Sequence, residues 1–426
     1  MCDLSGLGGP RRQSNHNVAM NIDQPIPLLA GLSPARFMQR HWQKKPLLVR
    51  QAWPGVAPPL DRTALFALAG EEQVESRLVS RLEGQWQLRQ GPFRRRQLPP
   101  ASRADWTLLV QGLDLHVPAA QQMLSAFRFL PGVRLDDLMM SWASDGGGVG
   151  PHLDSYDVFL LQVQGRRRWR IGPVANKRLV DGLPVRILAD FQPSQEWLLE
   201  PGDMLYLPPK WGHDGVAEGE CMTCSIGFRS PGVDDLAQEL LQQLSLELTL
   251  QAEERGREQT RYRDPGQAAT DCPGAVPPGL RQFAQDALAR AMRDTAALDR
   301  ALGCLLTEPK PKVWFSPGSL PAPGEGLRLD ARSRMAYDDG HVYLNGEAFA
   351  AGGRDAMLVR RLADQHVLAA AELARLSGSA KTLLLDWCDA GWLRPDPVPV
   401  RLEMPVATDS SAAPRAGSRR QRTAPR

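Results

Sequence analysis

A chain of 426 residues that is 42% hydrophobic and 23% charged has room for two or three domains, each with its own core. Its 6 cysteines do not make a disulfide framework in a chain of this length, which points to a reducing cytoplasm, and no apolar run reaches the roughly 20 residues needed to cross a bilayer. The net charge of +3 sits in the tail: from Pro405 onward, arginines 415, 419, 420, 422 and 426 face Asp409 alone, so the rest is near neutral and gives no ground for a nucleic-acid-binding class.

Residues 1–19 lack periodicity and are expected to be disordered, and no apolar segment follows Arg11 and Arg12, so no secretory signal is read there. Ordered sequence starts at Met20, which could be the true start. Ser33 caps a helix with Pro34 at its first position, and Phe37, Met38 and Trp42 form its apolar face. From about Arg134 to Arg229 the pattern turns to short β-type runs punctuated by glycine and proline, as in a sandwich or barrel. Within it, "YDVFLLQVQG" and "RRRWRIG" read as two successive strands. The period then becomes helical, with Leu236, Leu240, Leu241 and Leu244 on one face, and Phe283, Ala287, Leu288 and Ala291 on another. Beyond Lys312, "AAELARLSGSAKTLLLDWCDAGWLRP" reads as two short helices, a turn and a strand, as in a winged helix. The arginine-rich tail, 401–426, has too few large apolar residues to fold alone.

The stretch "GGGVGPHLDSYDVF" places two groups that are costly to bury, His152 and Asp154, beside an apolar strand. Side chains two apart on a strand share a face. A third ligand is expected from a distant strand, and "EPGDMLYLPPKWGHDG" supplies His213, just past a strand ending at Pro208 and Pro209. Two imidazoles and a carboxylate on one side of a metal leave three adjacent positions open, the arrangement of non-haem Fe(II) oxygenases. Cys221 and Cys224 form a C-x-x-C, but no second pair completes a zinc site, and they read as packing thiols.

The run from "HLDSYDVFLLQVQGRRRWRIG" through "EPGDMLYLPPKWGHDG" to "SIGFRS" resembles the bacterial ribosomal oxygenases, and the likeness extends over roughly residues 20 to 400. The resemblance implies a mixed α and β chain: a double-stranded β-helix (jelly-roll or cupin) JmjC barrel with N-terminal helices over 20–230, a helical dimerisation region over 231–306, and a winged-helix domain over 307–400. It implies Fe(II) as cofactor, 2-oxoglutarate and O2 as cosubstrates, and a homodimer that hydroxylates a side chain of a large-subunit ribosomal protein, an arginine at C3 in the branch most similar.

Arg167 takes the position that holds the 2-oxoglutarate carboxylate in that family, and Ser141 and Thr223 match further cosubstrate contacts, although the family more usually has Asn at the latter. A guanidinium binds a carboxylate through two parallel charge-assisted bonds. Alternation turns Arg167 and Trp169 inward and Arg166, Arg168 and Arg170 outward. Asp137, Met139 and Ser141 share a face, so Asp137 is acidic where an incoming guanidinium needs a partner, Met139 and Tyr156 sandwich the aliphatic stem, and Ser225 adds a hydrogen bond. The winged helix balances Arg375 and Lys381 against Glu372, Asp386 and Asp389, which suits protein docking better than nucleic acid. Two other readings are a metal-binding cupin enzyme that needs no 2-oxoglutarate, and a non-catalytic ribosome-associated factor.

Overall fold

The computed structural model describes residues 21–255 and 260–396, with only the backbone of 251–255. The expectations for residues 1–19 and 401–426 fall outside that range.

Local sequence accounts for the first helices. The Ser33 hydroxyl accepts the Arg36 N–H at 3.3 Å at the head of α1 (Pro34–Arg40), and Asp61 accepts the Ala64 N–H at 2.8 Å at the head of α2 (Arg62–Leu68). A third short helix, α3 (Pro118–Leu124), starts on proline. These helices cover one face of an antiparallel sheet. Its strands are β1 (Leu47–Val49), β2 (Ser76–Leu82), β3 (Gln85–Gln90), β4 (Trp106–Val110), β5 (Leu135–Ala143), β6 (His152–Leu153), β7 (Asp157–Pro173), β8 (Gln195–Leu199), β9 (Met204–Leu207) and β10 (Trp211–Phe228). The order is β1-β9-β7-β10-β5-β4-β2-β3, with β6 also on β10 and β8 also on β7. The antiparallel sheets form the cupin-type barrel expected from the sequence.

The two expected strands around Gly165 are one. β7 runs unbroken for 17 residues and pairs with β10 from Asp157↔Phe228 to Pro173↔Trp211. Gly165 is where it bends: its φ is +61°, and an added Cβ would lie 2.1 Å from the Glu220 carbonyl oxygen, so only glycine fits. The bend also resets which side chains face inward. Before it, Phe159, Leu161 and Val163 join the large core under the helices, while Val158 and Leu160 face the barrel interior; beyond it, Trp169 and Ile171 join that interior cluster. Each large side chain so buried contributes roughly 1.5–3 kcal/mol.

Beyond the barrel, α4 (Val233–Arg255) packs on α6 (Thr295–Thr307) through Leu244, Ala297 and Ala301, with α5 (Pro278–Arg293) between them in sequence. The leucine face expected on α4 is split, because Leu244 is buried but Leu241 is 50% exposed. A second domain follows. A meander of β12 (Met335–Tyr337), β13 (His341–Leu344) and β14 (Glu347–Ala350) sits beside a sheet ordered β15-β11-β16, with β11 Gly326–Leu329, β15 Val367–Leu368 and β16 Leu393–Asp396. Helices α7 (Gly353–Gln365), α8 (Ala370–Leu373) and α9 (Gly378–Asp389) close its core around Leu327, Leu344, Leu362, Leu384 and Trp387. Among the described residues, no helix is long and apolar enough to cross a membrane.

Candidate metal and cosubstrate site

His152 and His213 face each other as a register pair between β6 and β10, their ring centroids 4.1 Å apart. His213 lies just past β9, which ends at Leu207 before Pro208 and Pro209, and is the third residue of the next strand, β10. The His152 strand is only two residues long, and Asp154 follows just beyond it. Ligand atoms of His152, Asp154 and His213 all lie within 4.8 Å of one another, with Asp154 Oδ2 3.5 Å from His213 Nε2.

Both rings are oriented from behind by the main chain. Nδ1–H of His152 donates to the Gly150 carbonyl at 2.9 Å, and Nδ1–H of His213 donates to the Trp211 carbonyl at 3.2 Å. Each bond fixes the tautomer and leaves Nε2 as a lone pair aimed at the common centre. Gly150 is required for this: its φ is +79°, and a Cβ there would lie 2.3 Å from Ile187. Burial, and then the neighbouring His152, push His213 down to about 4, so its ring is neutral and free to ligate at neutral pH. A tautomer-locked imidazole pair plus one carboxylate fits a divalent transition metal with adjacent open positions.

Arg167 is 5% exposed, and its Nε and Nη2 atoms are buried without a hydrogen-bond partner. An unpaired buried guanidinium is costly, so this one is built for an anion. It lies over Trp169, 5.8 Å from the ring centroid, and Trp169 in turn is 5.8 Å from the His213 ring. The three side chains thus connect the metal ligands to the cation along one wall of the barrel. The flanking arginines turn outward as expected, Arg168 pairing with Glu196 and Glu218, and Arg170 with Asp214.

The far half of β10 carries the remaining candidates. Thr223 lies opposite Ser141 on β5, and Ser225 opposite Met139. The Ser141 hydroxyl donates to the Thr223 carbonyl at 3.4 Å, and the Thr223 hydroxyl donates to Gln162 Oε1 at 2.9 Å. Gln162 was missed in the sequence, although a wholly buried polar residue inside "DVFLLQV" is a readable signal. Asp137 continues the same face and is 7% exposed; Oδ2 accepts the Gly112 N–H at 2.7 Å and lies 4.0 Å from Lys310 Nζ, a contact across more than 170 residues that no local pattern signals. Burial, opposed by Lys310 and reinforced by Asp136, raises its carboxyl above the usual range. Tyr156 is 36% exposed, and a Cβ built on Gly227 would lie 3.6 Å from its ring and 3.9 Å from Asp137 Oδ1, so a small open space separates them. Cys221 and Cys224 are buried among apolar neighbours, and among the described residues only the His-Asp-His group has metal-binding proximity.

Two family models match the chain: a JmjC domain over residues 122–236 and a ROXA-like winged helix over 278–394. The ribosomal protein uL16 3-hydroxylase of Escherichia coli is 42% identical over 202 residues, and a probable ribosomal oxygenase of Haemophilus influenzae is 35% identical over 209. The match spans about half the length of these curated relatives, 53% and 52% respectively. The solved structure of the Escherichia coli ribosomal oxygenase YcfD in complex with cobalt and 2-oxoglutarate superposes with a TM-score of 0.71 at 30% identity, covering 86% of this chain and 99% of that one.

Proposed function

The chain belongs to the ribosomal oxygenases, and from that premise we propose that it is an Fe(II)- and 2-oxoglutarate-dependent hydroxylase acting on a large-subunit ribosomal protein, at C3 of an arginine. The observation that carries the reading is the buried, unpartnered Arg167 guanidinium on the wall that leads to the His152, Asp154 and His213 ligand set.

In this reading the three ligands hold the iron, and Arg167 holds the far carboxylate of 2-oxoglutarate, assisted by the hydroxyls of Ser141 and Thr223. Bound iron and 2-oxoglutarate supply the oxidising chemistry, in which one atom of O2 goes to the substrate carbon and the other to succinate as CO2 leaves. The chain itself positions the substrate. Asp137 pairs with the guanidinium, Met139 and Tyr156 grip the stem, and Ser225 adds a polar contact, so that one C–H bond is presented to the metal. The interior cluster of Val158, Leu160 and Ile171 keeps bulk water from the centre.

The substrate named for the Escherichia coli relative, uL16, is carried here as the proposed substrate, which sets the work in the cytoplasm. A homodimer through the helical region is supported by apolar side chains left facing solvent on α4 and α5: Leu246 at 60%, Leu288 at 56% and Met292 at 53% exposed. The stretch from α8 through α9 carries Arg375 and Lys381 against Glu372, Asp386 and Asp389, which favours protein docking over nucleic acid. The test is the intact mass of uL16 incubated with the enzyme, iron, 2-oxoglutarate and O2. The expected product is one oxygen atom heavier at an arginine, with one succinate formed per modified chain; unchanged mass overturns the reading.

A further inference from the structure

Lys310 lies three residues past the end of α6, within the span that matches the winged helix, yet its side chain reaches the carboxylates of β5. Its Nζ is 3.2 Å from Asp136 Oδ1 and 4.0 Å from Asp137 Oδ2, and the side chain is only 18% exposed. Asp136 already has a cation, because Arg229 Nε is 3.2 Å from its Oδ1. Lys310 is thus the cation shared with Asp137.

The two oxygens of Asp137 have different surroundings. Oδ2 accepts the Gly112 N–H at 2.7 Å and faces Lys310, whereas Oδ1 borders the space beside Tyr156 and Gly227 and has no hydrogen-bond partner among the described residues. A cation on the pocket side would compete with substrate. One behind the carboxylate keeps it charged and aimed.

We propose that Lys310 is a positioning residue of the substrate pocket: the Gly112 N–H fixes Oδ2 of Asp137, Lys310 faces that oxygen as its ion-pair partner, and Oδ1 is presented toward Tyr156, where a cationic substrate side chain is read. The inference rests on the functional reading above and deepens it, making the second domain part of substrate recognition.

Charge supports the assignment. Asp136, Asp114 and Glu75 are anionic neighbours of this seam, balanced by Lys310, Arg229, Arg77 and Arg334. Without Lys310, adjacent Asp136 and Asp137 favour a protonated Asp137, which cannot accept a charge-assisted bond from a guanidinium.

The experiment compares full-length wild type, Lys310→Met and Lys310→Arg on a uL16 peptide carrying arginine and on the same peptide with neutral citrulline at that position. Lys310→Met is expected to raise KM for the arginine peptide by roughly tenfold or more while KM for 2-oxoglutarate stays unchanged. Its preference for arginine over citrulline shrinks, and the acid limb of its kcat/KM profile moves to higher pH. Lys310→Arg restores all three toward wild type. The proposal is overturned if Lys310→Met keeps the wild-type KM and preference, or if both peptides and 2-oxoglutarate lose alike with no rescue by arginine, which marks a structural ion pair. A wild type inactive on the arginine peptide instead overturns the functional reading, and the inference with it.

Discussion

The metal end and the proposed substrate end of the barrel are built differently. At the metal end, His152 and His213 are a register pair in one antiparallel ladder, each ring held by a carbonyl two residues before it. Main-chain geometry does the positioning, so that end is rigid without help from elsewhere. At the substrate end, Asp137 depends on Gly112 from a loop and Lys310 from another domain, and three carboxylates, Asp114, Asp136 and Asp137, crowd one seam. The metal ligands are held by the backbone, while the proposed substrate contact is held by groups from separate segments.

The contrast breaks most visibly at the metal. His213→Ala is expected to abolish succinate formation, exceeding the roughly 10–100-fold loss typical when only an outer partner of a ligand is removed. Metal titration calorimetry checks it, and the thermal transition of the metal-free protein should move little. Next in size is Arg167→Ala. Losing two hydrogen bonds between charged groups costs on the order of 3 kcal/mol, so KM for 2-oxoglutarate should rise about 100-fold with KM for the peptide unaltered. A rise in the peptide KM alone contradicts the role given to Arg167.

The smallest effect sharpens the substrate end. Burial lifts the Asp114 carboxyl to about 6 although it accepts the Leu138 N–H at 2.8 Å. A carboxyl raised on folding binds more protons folded than unfolded between about pH 4 and 6, so its contribution to stability is lost as pH rises through that window. Relative to Asp114→Asn, wild type should lose up to about 3 kcal/mol from pH 4 to pH 7, read as a widening gap in thermal or urea midpoints. A gap that is flat with pH means Asp114 is not held protonated by the fold.

The same contrast governs what the sequence could reveal. His152 and Asp154 are readable from their two-residue spacing after a glycine-rich turn, although the strand carrying His152 ends at Leu153 and Asp154 sits just beyond it. His213 is legible from its surroundings as a residue just past one strand, but nothing in "PPKWGHDG" tells that an 18-residue strand begins there. Strand alternation gave the buried Arg167 and Trp169 correctly, yet only the structure reveals that Gly165 bends one strand in place of separating two. α7 went unread although Ala356, Val359 and Leu362 fall at helical spacing. Lys310 could not be read at all. Its partner lies more than 170 residues away in sequence, and a lysine between prolines looks like any solvated loop residue.

The most direct test is a crystal structure of the protein loaded under anaerobic conditions with Fe(II) and 2-oxoglutarate. Anomalous density is expected for one ion bonded to His152, Asp154 and His213, with the cosubstrate's distal carboxylate paired to Arg167. An ion bound elsewhere, or a distal carboxylate that leaves Arg167 unpaired, contradicts this reading of the site.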